Sequence, residues 1–114
     1  MAMIPAFATI AETEETSSAA TLHVLDFLQR YPAVATLLEK AEEPLRAAFG
    51  PDVTLTLAVE TDTEIASWEY LVAGIRTTRP PAEAHACLQA FDDAWWLAQA
   101  LKAEDKLLFD LLNL

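Results

Sequence analysis

The stretch AFDDAWWLAQ, Ala90 to Gln99, is where the fold of this chain is decided. Two tryptophans stand side by side behind two aspartates. Successive residues of an α-helix turn by about 100°, so Trp95 and Trp96 leave the rod on different sides. On a helix from about Ala82 to Leu101, the spacing places Ala84, Cys87, Leu88, Phe91, Ala94, Trp95 and Ala98 on one apolar stripe. Trp96 falls on the far side, beside His85, Gln89, Asp92 and Ala100. Three readings of Trp96 stand open. It packs under the N-terminal arm or a neighbouring loop, it anchors contact with another chain as tryptophan does at binding hot spots, or the helix ends early and returns it to the core.

Upstream of this helix, RPPAEAH breaks the chain and starts it, with Pro81 and Glu83 suited to a first turn. Lys102 suits its C-terminal end. In DVTLTLAVE, Val53, Leu55, Leu57 and Val59 alternate with Thr54, Thr56, Ala58 and Glu60, the period of a half-buried strand. SWEYLVAGIRTT reads as a second strand, with Leu71, Ala73 and Ile75 on one face and Trp68, Tyr70 and Val72 on the other. The short link between them predicts antiparallel pairing. Further back, Leu22, Leu25, Phe27, Leu28 and Tyr31 repeat at helical spacing behind Ser17 or Ser18 as cap. Pro32 and Pro44 predict two joints in a helical segment over residues 19–49. Gly50 suits a left-handed helix end and Pro51 bars continuation. Residues 1–18 read as a loosely attached arm, partly disordered in its acidic half. Ile4, Phe7 and Ile10 stand at helical spacing within it. Residues 19–114 then make a single domain. KLLFDLL is too short an apolar run for periodicity to choose between helix and strand.

Bulk composition narrows the function classes. The chain has 114 residues, 54% of them hydrophobic, and a net charge of −11. That length suits one domain. Seven Lys and Arg against eighteen Asp and Glu cannot form the basic face that phosphate backbones require, so no direct nucleic-acid contact is expected. No apolar run reaches the roughly 18 residues that span a bilayer. A basic, apolar leader is absent and Cys87 has no intrachain partner, which together lead to a cytoplasmic expectation. The acidic surface favours solubility and steers toward basic partners.

Motifs for chemistry are missing. Asp92 and Asp93 are adjacent and diverge on a helix, unlike a facing acid/base pair. Glu60, Asp62 and Glu64 alternate, but the glycine of a calcium loop is absent. His85 and Cys87 diverge and lie far from His23, so no zinc cluster forms. Ser17, Ser18 and Ser67 lack a His and acid setting. Two glycines leave no phosphate-cradling loop. Arg76 and Arg79 can fork onto a carboxylate or pair with the chain's own acids. No catalytic residue, metal ligand or cofactor is assigned.

In Asp62 and Glu64, then Phe91, Asp92, Trp95, Trp96 and Leu97, then Lys106, Leu107 and Asp110, the segment from about Asp52 to Leu112 resembles a loose family of small bacterial proteins. These are partners encoded beside toxin–antitoxin-type genes. The resemblance implies that KLLFDLL is a strand and carries over no catalytic residues. The chain departs from the family pattern in ETDTEIAS, which lacks an Asp-Pro turn, and in its alanine-rich arm.

The expected architecture is therefore α+β: a helical N-terminal half, a β-hairpin, the Trp-Trp helix and a C-terminal strand, in a small antiparallel or mixed sheet covered by helices. Two strands alone are marginal in water, so a third strand or homodimerisation must complete the sheet, and symmetric dimers are the commonest oligomers. The expected function is a non-catalytic, antitoxin-like interaction module for a basic protein partner. Trp96, Asp92, Asp93, Trp68 and Tyr70 are its contact candidates. Two alternatives remain: a small-molecule-binding protein or enzyme with a pocket between sheet and helices, and a purely structural homodimer.

Overall fold

The computed structural model of the chain describes residues 7–10, 17–61, 64, 68–103 and 106–112. The alternating stretch forms one strand (Thr54–Thr61) and the aromatic and branched stretch another (Glu69–Arg76), paired antiparallel with Leu57 opposite Ala73 and Val59 opposite Leu71. KLLFDLL is indeed extended, as the strand Leu107–Leu111 lying parallel to Glu69–Arg76. A further strand, Ala8–Ile10, lies parallel to Thr54–Thr61. In chain order these are β1 (Ala8–Ile10), β2 (Thr54–Thr61), β3 (Glu69–Arg76) and β4 (Leu107–Leu111), and they form a mixed sheet in the order β1-β2-β3-β4. The architecture is α+β.

β1 corrects the reading of residues 7–10 as a helical stripe in a loose arm. Phe7 and Ala8 are buried, and the Leu55 N–H donates to the Phe7 carbonyl at 3.1 Å. The free edge of β2 presents unpaired N–H and C=O groups. An extended segment satisfies them, which a helix at that place cannot do. Ile4 and the acidic half of the arm lie outside the described residues.

Three helices cover one face of the sheet: α1 (Ser17–Arg30), α2 (Pro32–Phe49) and α3 (Pro81–Phe91). Leu55, Leu57, Leu71, Ala73 and Ile75 point at them and are fully buried, as are Phe27, Leu28, Leu38 and Phe91. Each buried aliphatic or aromatic side chain stabilises the fold by about 1.5–3 kcal/mol.

The joint at Pro32 is present, with Tyr31 between α1 and α2. The joint expected at Pro44 is not, because α2 runs through it to Phe49. A proline inside a helix costs about 3 kcal/mol. Breaking the helix there would release Leu45 and Phe49, both buried, and their burial outweighs that cost. Gly50 ends α2 with φ 110° and ψ 170°. That is a mirror-extended conformation open essentially to glycine, rather than the expected left-handed helical one. Arg79 supplies a cap that the sequence reading missed: its Nε donates to the Phe49 carbonyl at 2.8 Å.

Among the described residues, no helix is long and apolar enough to cross a membrane.

Candidate functional site

Beyond Phe91 the Trp-Trp helix does not continue as a plain α-helix. Residues Asp92–Trp96 form a π turn, in which the Leu97 N–H donates to the Asp92 carbonyl five residues back. A short α turn (Leu97–Gln99) and a 3₁₀ turn (Ala100–Ala103) follow. A π turn adds one residue to a helical turn, and the buried stripe moves on by one position as a result. Ala84 and Phe91 are buried as expected, but Ala94 and Ala98 are exposed, whereas Trp96 and Ala103 are buried.

The far-face position expected for Trp96 is thereby corrected. Trp96 is only 9% exposed. Its ring meets Phe109 of β4 edge-on at 4.8 Å, and Phe109 in turn meets Phe91 at 5.1 Å. The helix reaches this arrangement by widening, not by ending early. A straight helix would aim Trp95 at Phe109 and strand the second indole in solvent. With the extra residue, Trp96 fills the site over β4, and Trp95 stays half-buried at its rim, 6.0 Å from Trp96 and 5.8 Å from Phe91.

Trp95 borders an open groove of about 880 Å³ between the π turn and α2. Its apolar surface comes from Trp95, Ala94, Pro44 and Ala47, and its polar rim from Glu39, Lys40, Glu42, Glu43 and Arg46. Arg46 is tied to Glu42 at 3.2 Å, and the five charges sum to one negative. Pro44 has no N–H to offer the Lys40 carbonyl one turn earlier. On the segment that carries Trp95, Leu97 and Leu101 are 64% and 90% exposed. They stand four residues apart, on one side of the helical rod.

The two aspartates of the opening stretch diverge as expected, Asp92 half-buried and Asp93 exposed. Burial holds the Asp92 carboxyl above its ordinary range, and the neighbouring charge of Asp93 adds to this.

Trp68 and Tyr70, the other contact candidates, lie at the start of β3, both half-buried. The Trp68 ring is occupied from within. Lys106, which is buried, places its ammonium 3.6 Å from the Trp68 ring centre and 4.9 Å from that of Tyr31, and donates to the Glu69 carbonyl at 2.9 Å. This clamp ties the start of β4 to the joint between α1 and α2 and to the start of β3. Beside it, the Glu69 carboxylate meets His23 Nε2 at 2.8 Å and Arg30 at 3.2 Å. Those partners, His23 first and then Arg30, hold Glu69 below the usual carboxylate range. Nothing in spacing relates His23 to Glu69, which lie 46 residues apart.

Other sequence candidates stay apart. His85 is exposed and Cys87 half-buried on α3. Glu60 is exposed at the end of β2, and Asp62 and Ser67 lie outside the described residues. Among the described residues, no group of three or more His, Cys, Asp or Glu is placed to hold a metal ion. Arg79 pairs with Glu83 at 3.9 Å besides capping α2, so it does not fork with Arg76.

Sequence reasoning missed Trp95 as the accessible indole. Spacing carried no signal for this, since Leu97 and Leu101, which the straight-helix stripe leaves outside it, are exposed in the structure as well. No protein-family model, curated protein or solved structure matches the chain.

Proposed function

We propose that the protein is a non-catalytic interaction module that holds a basic, amphipathic segment of another protein in the groove between α2 and the π turn. The observation that carries this reading is Trp95, a half-exposed indole at the edge of an open groove. Tryptophan supplies large contact area at low entropy cost and dominates binding hot spots. A helical segment laid in the groove against Trp95 is the helix-in-groove mode of recognition. A net charge of −11 speeds encounter with a cationic partner. Glu39 and Glu43 offer acceptors to its Lys and Arg side chains. An acidic antidote to a basic toxin protein fits these features.

The test is a fluorescence titration with a helical Lys/Leu peptide and with its Glu/Leu counterpart. The basic peptide shifts the tryptophan emission and the acidic one does not. Trp95→Ala weakens binding at unchanged charge. Glu39→Gln with Glu43→Gln weakens it more than Glu60→Gln with Asp110→Asn, which removes equal charge from the sheet. Equal losses from both pairs together with an unaffected Trp95→Ala variant reduce the binding to nonspecific charge attraction and refute the proposal.

A further inference from the structure

We propose that the helical ridge formed by Ala94, Leu97, Ala98 and Leu101 is a contact surface for a second copy of this chain, packed antiparallel on the same ridge about a two-fold axis. These positions follow the i, i+3, i+4, i+7 spacing that lines one side of a helix. All four are exposed, while Trp96 and Ala103, seven residues apart, are buried on the opposite side. The π turn and the 3₁₀ turn therefore leave the ridge in phase. Leu97 and Leu101 are 64% and 90% exposed, and a contiguous apolar row of this kind marks an interaction surface.

Size selects a second copy and its direction. Along the ridge the side chains run small, large, small, large. With the axis between Leu97 and Ala98, each leucine meets an alanine: Leu101 lies level with Ala94 of the other copy, and Leu97 with its Ala98. Leucines then fill the spaces over alanines as knobs fill holes, and the rods approach to about 8 Å. A parallel copy would set leucine against leucine and alanine against alanine. Charge agrees. Lys102 follows Trp95 by seven residues, so it lies on the flank of the ridge that borders the groove. In an antiparallel pair about this axis each flank faces its own counterpart. Lys102 of one copy therefore comes beside Trp95 of the other and the rim of its groove, where Glu39 and Glu43 outnumber Lys40 once Glu42 is tied to Arg46. Lys102, Glu39 and Glu43 are exposed, and among the described residues no ion pair engages them. Asp93 stands on the opposite flank, exposed, and Asp92 is half-buried; Glu104 and Asp105 lie outside the described residues. The two copies of Asp93 are nine residues of rise apart, about 13 Å, as are the two of Lys102, beyond the screening length of about 8 Å at physiological salt.

Area sets the strength. Two leucines and two alanines offer roughly 300–400 Å² per copy, against about 800 Å² per partner in stable complexes. The dimer is therefore reversible, with a dissociation constant of roughly 50–500 µM. Of the ridge, only Ala94 also lines the groove. Self-association is measured without any peptide, so its failure leaves the groove reading standing.

The experiment is sedimentation equilibrium of the full chain from about 10 µM to about 1 mM, a range that brackets that constant. Wild type passes from monomer to dimer. Leu101→Gln raises the dissociation constant by about fivefold or more. Ala98→Leu raises it too, although it adds apolar surface, because the new side chain meets Leu97 of the other copy. Lys102→Glu raises it by about threefold or more, whereas Arg76→Glu, the same change of charge at the end of β3, leaves it within about twofold of wild type. All four positions are exposed, so the variants keep the fold, which circular dichroism checks. A monomer throughout the range overturns the proposal. So does association that Ala98→Leu strengthens, that Leu101→Gln leaves intact, or that Arg76→Glu weakens as much as Lys102→Glu does.

Discussion

Replacing Trp96 by alanine, set against the same change at Trp95, probes the π turn directly. Trp96 is 9% exposed and packs edge-on against Phe109 at 4.8 Å. Truncating a buried tryptophan costs about 3–5 kcal/mol in transfer and cavity terms, of which the ring pair contributes about 0.5–1.5 kcal/mol. Trp95 is half-buried at the groove and loses less contact, about 1–2 kcal/mol. In a domain of 114 residues, each kcal/mol moves the melting temperature by about 4 °C. Trp96→Ala therefore melts roughly 12–20 °C below wild type and Trp95→Ala roughly 4–8 °C below. Thermal melts by far-ultraviolet circular dichroism measure both, and urea midpoints confirm the order. A Trp96→Ala protein that melts within about 5 °C of wild type, well short of the roughly 12 °C lower bound for that variant, or a larger loss at Trp95, would refute the placement of the two rings.

Deleting Asp93 closes the π turn into an α-helix, with Trp96 now four residues after Phe91 and Ala103 still in phase; the variant folds and melts closer to wild type than Trp96→Ala does, whereas an unfolded product shows that the extra residue is required for more than phase. Glu69 is held below its ordinary value of 4.5, so its contribution is present above that pH and is lost as the pH falls through the lower folded value. The melting-temperature gap between wild type and Glu69→Gln accordingly narrows on acidification from neutral pH, and a gap that widens contradicts the pairing with His23 and Arg30. Asp92 is displaced the opposite way, raised from 3.8 mainly by burial; its ionisation opposes folding as the pH rises through that range, so Asp92→Asn stabilises at neutral pH and the gain disappears in acid, as pH-dependent melts will show. The Thr56 hydroxyl is buried without a hydrogen-bond partner among the described residues, and an unpaired buried polar group costs about 1–3 kcal/mol; Thr56→Val raises the urea midpoint, and a lowered midpoint means that the hydroxyl is satisfied.

Features of the sequence that act through near neighbours were legible in it. The two-residue alternation from Val53 to Val59 specifies β2 and the face it buries, since strand side chains point to opposite sides in turn. The proline ring at position 32 separates α1 from α2 through its immediate sterics. The divergence of Asp92 and Asp93 follows from helical geometry alone. Elsewhere tertiary structure overruled local rules. Pro44 stays inside α2 because Leu45 and Phe49 bury beyond it. Residues 8–10 become a strand because β2, more than 40 positions away, offers an edge to pair with. Trp96 turns inward because β4, joining only after the helix ends, brings Phe109 to it. One residue of π widening exchanges the roles of two adjacent indoles, and with them the location of the candidate site. Composition and periodicity determined that this chain is an acidic α+β protein with a half-buried hairpin. Only long-range packing, which selects among helical phases that lie close in energy, decided which tryptophan stabilises the core and which one faces a partner.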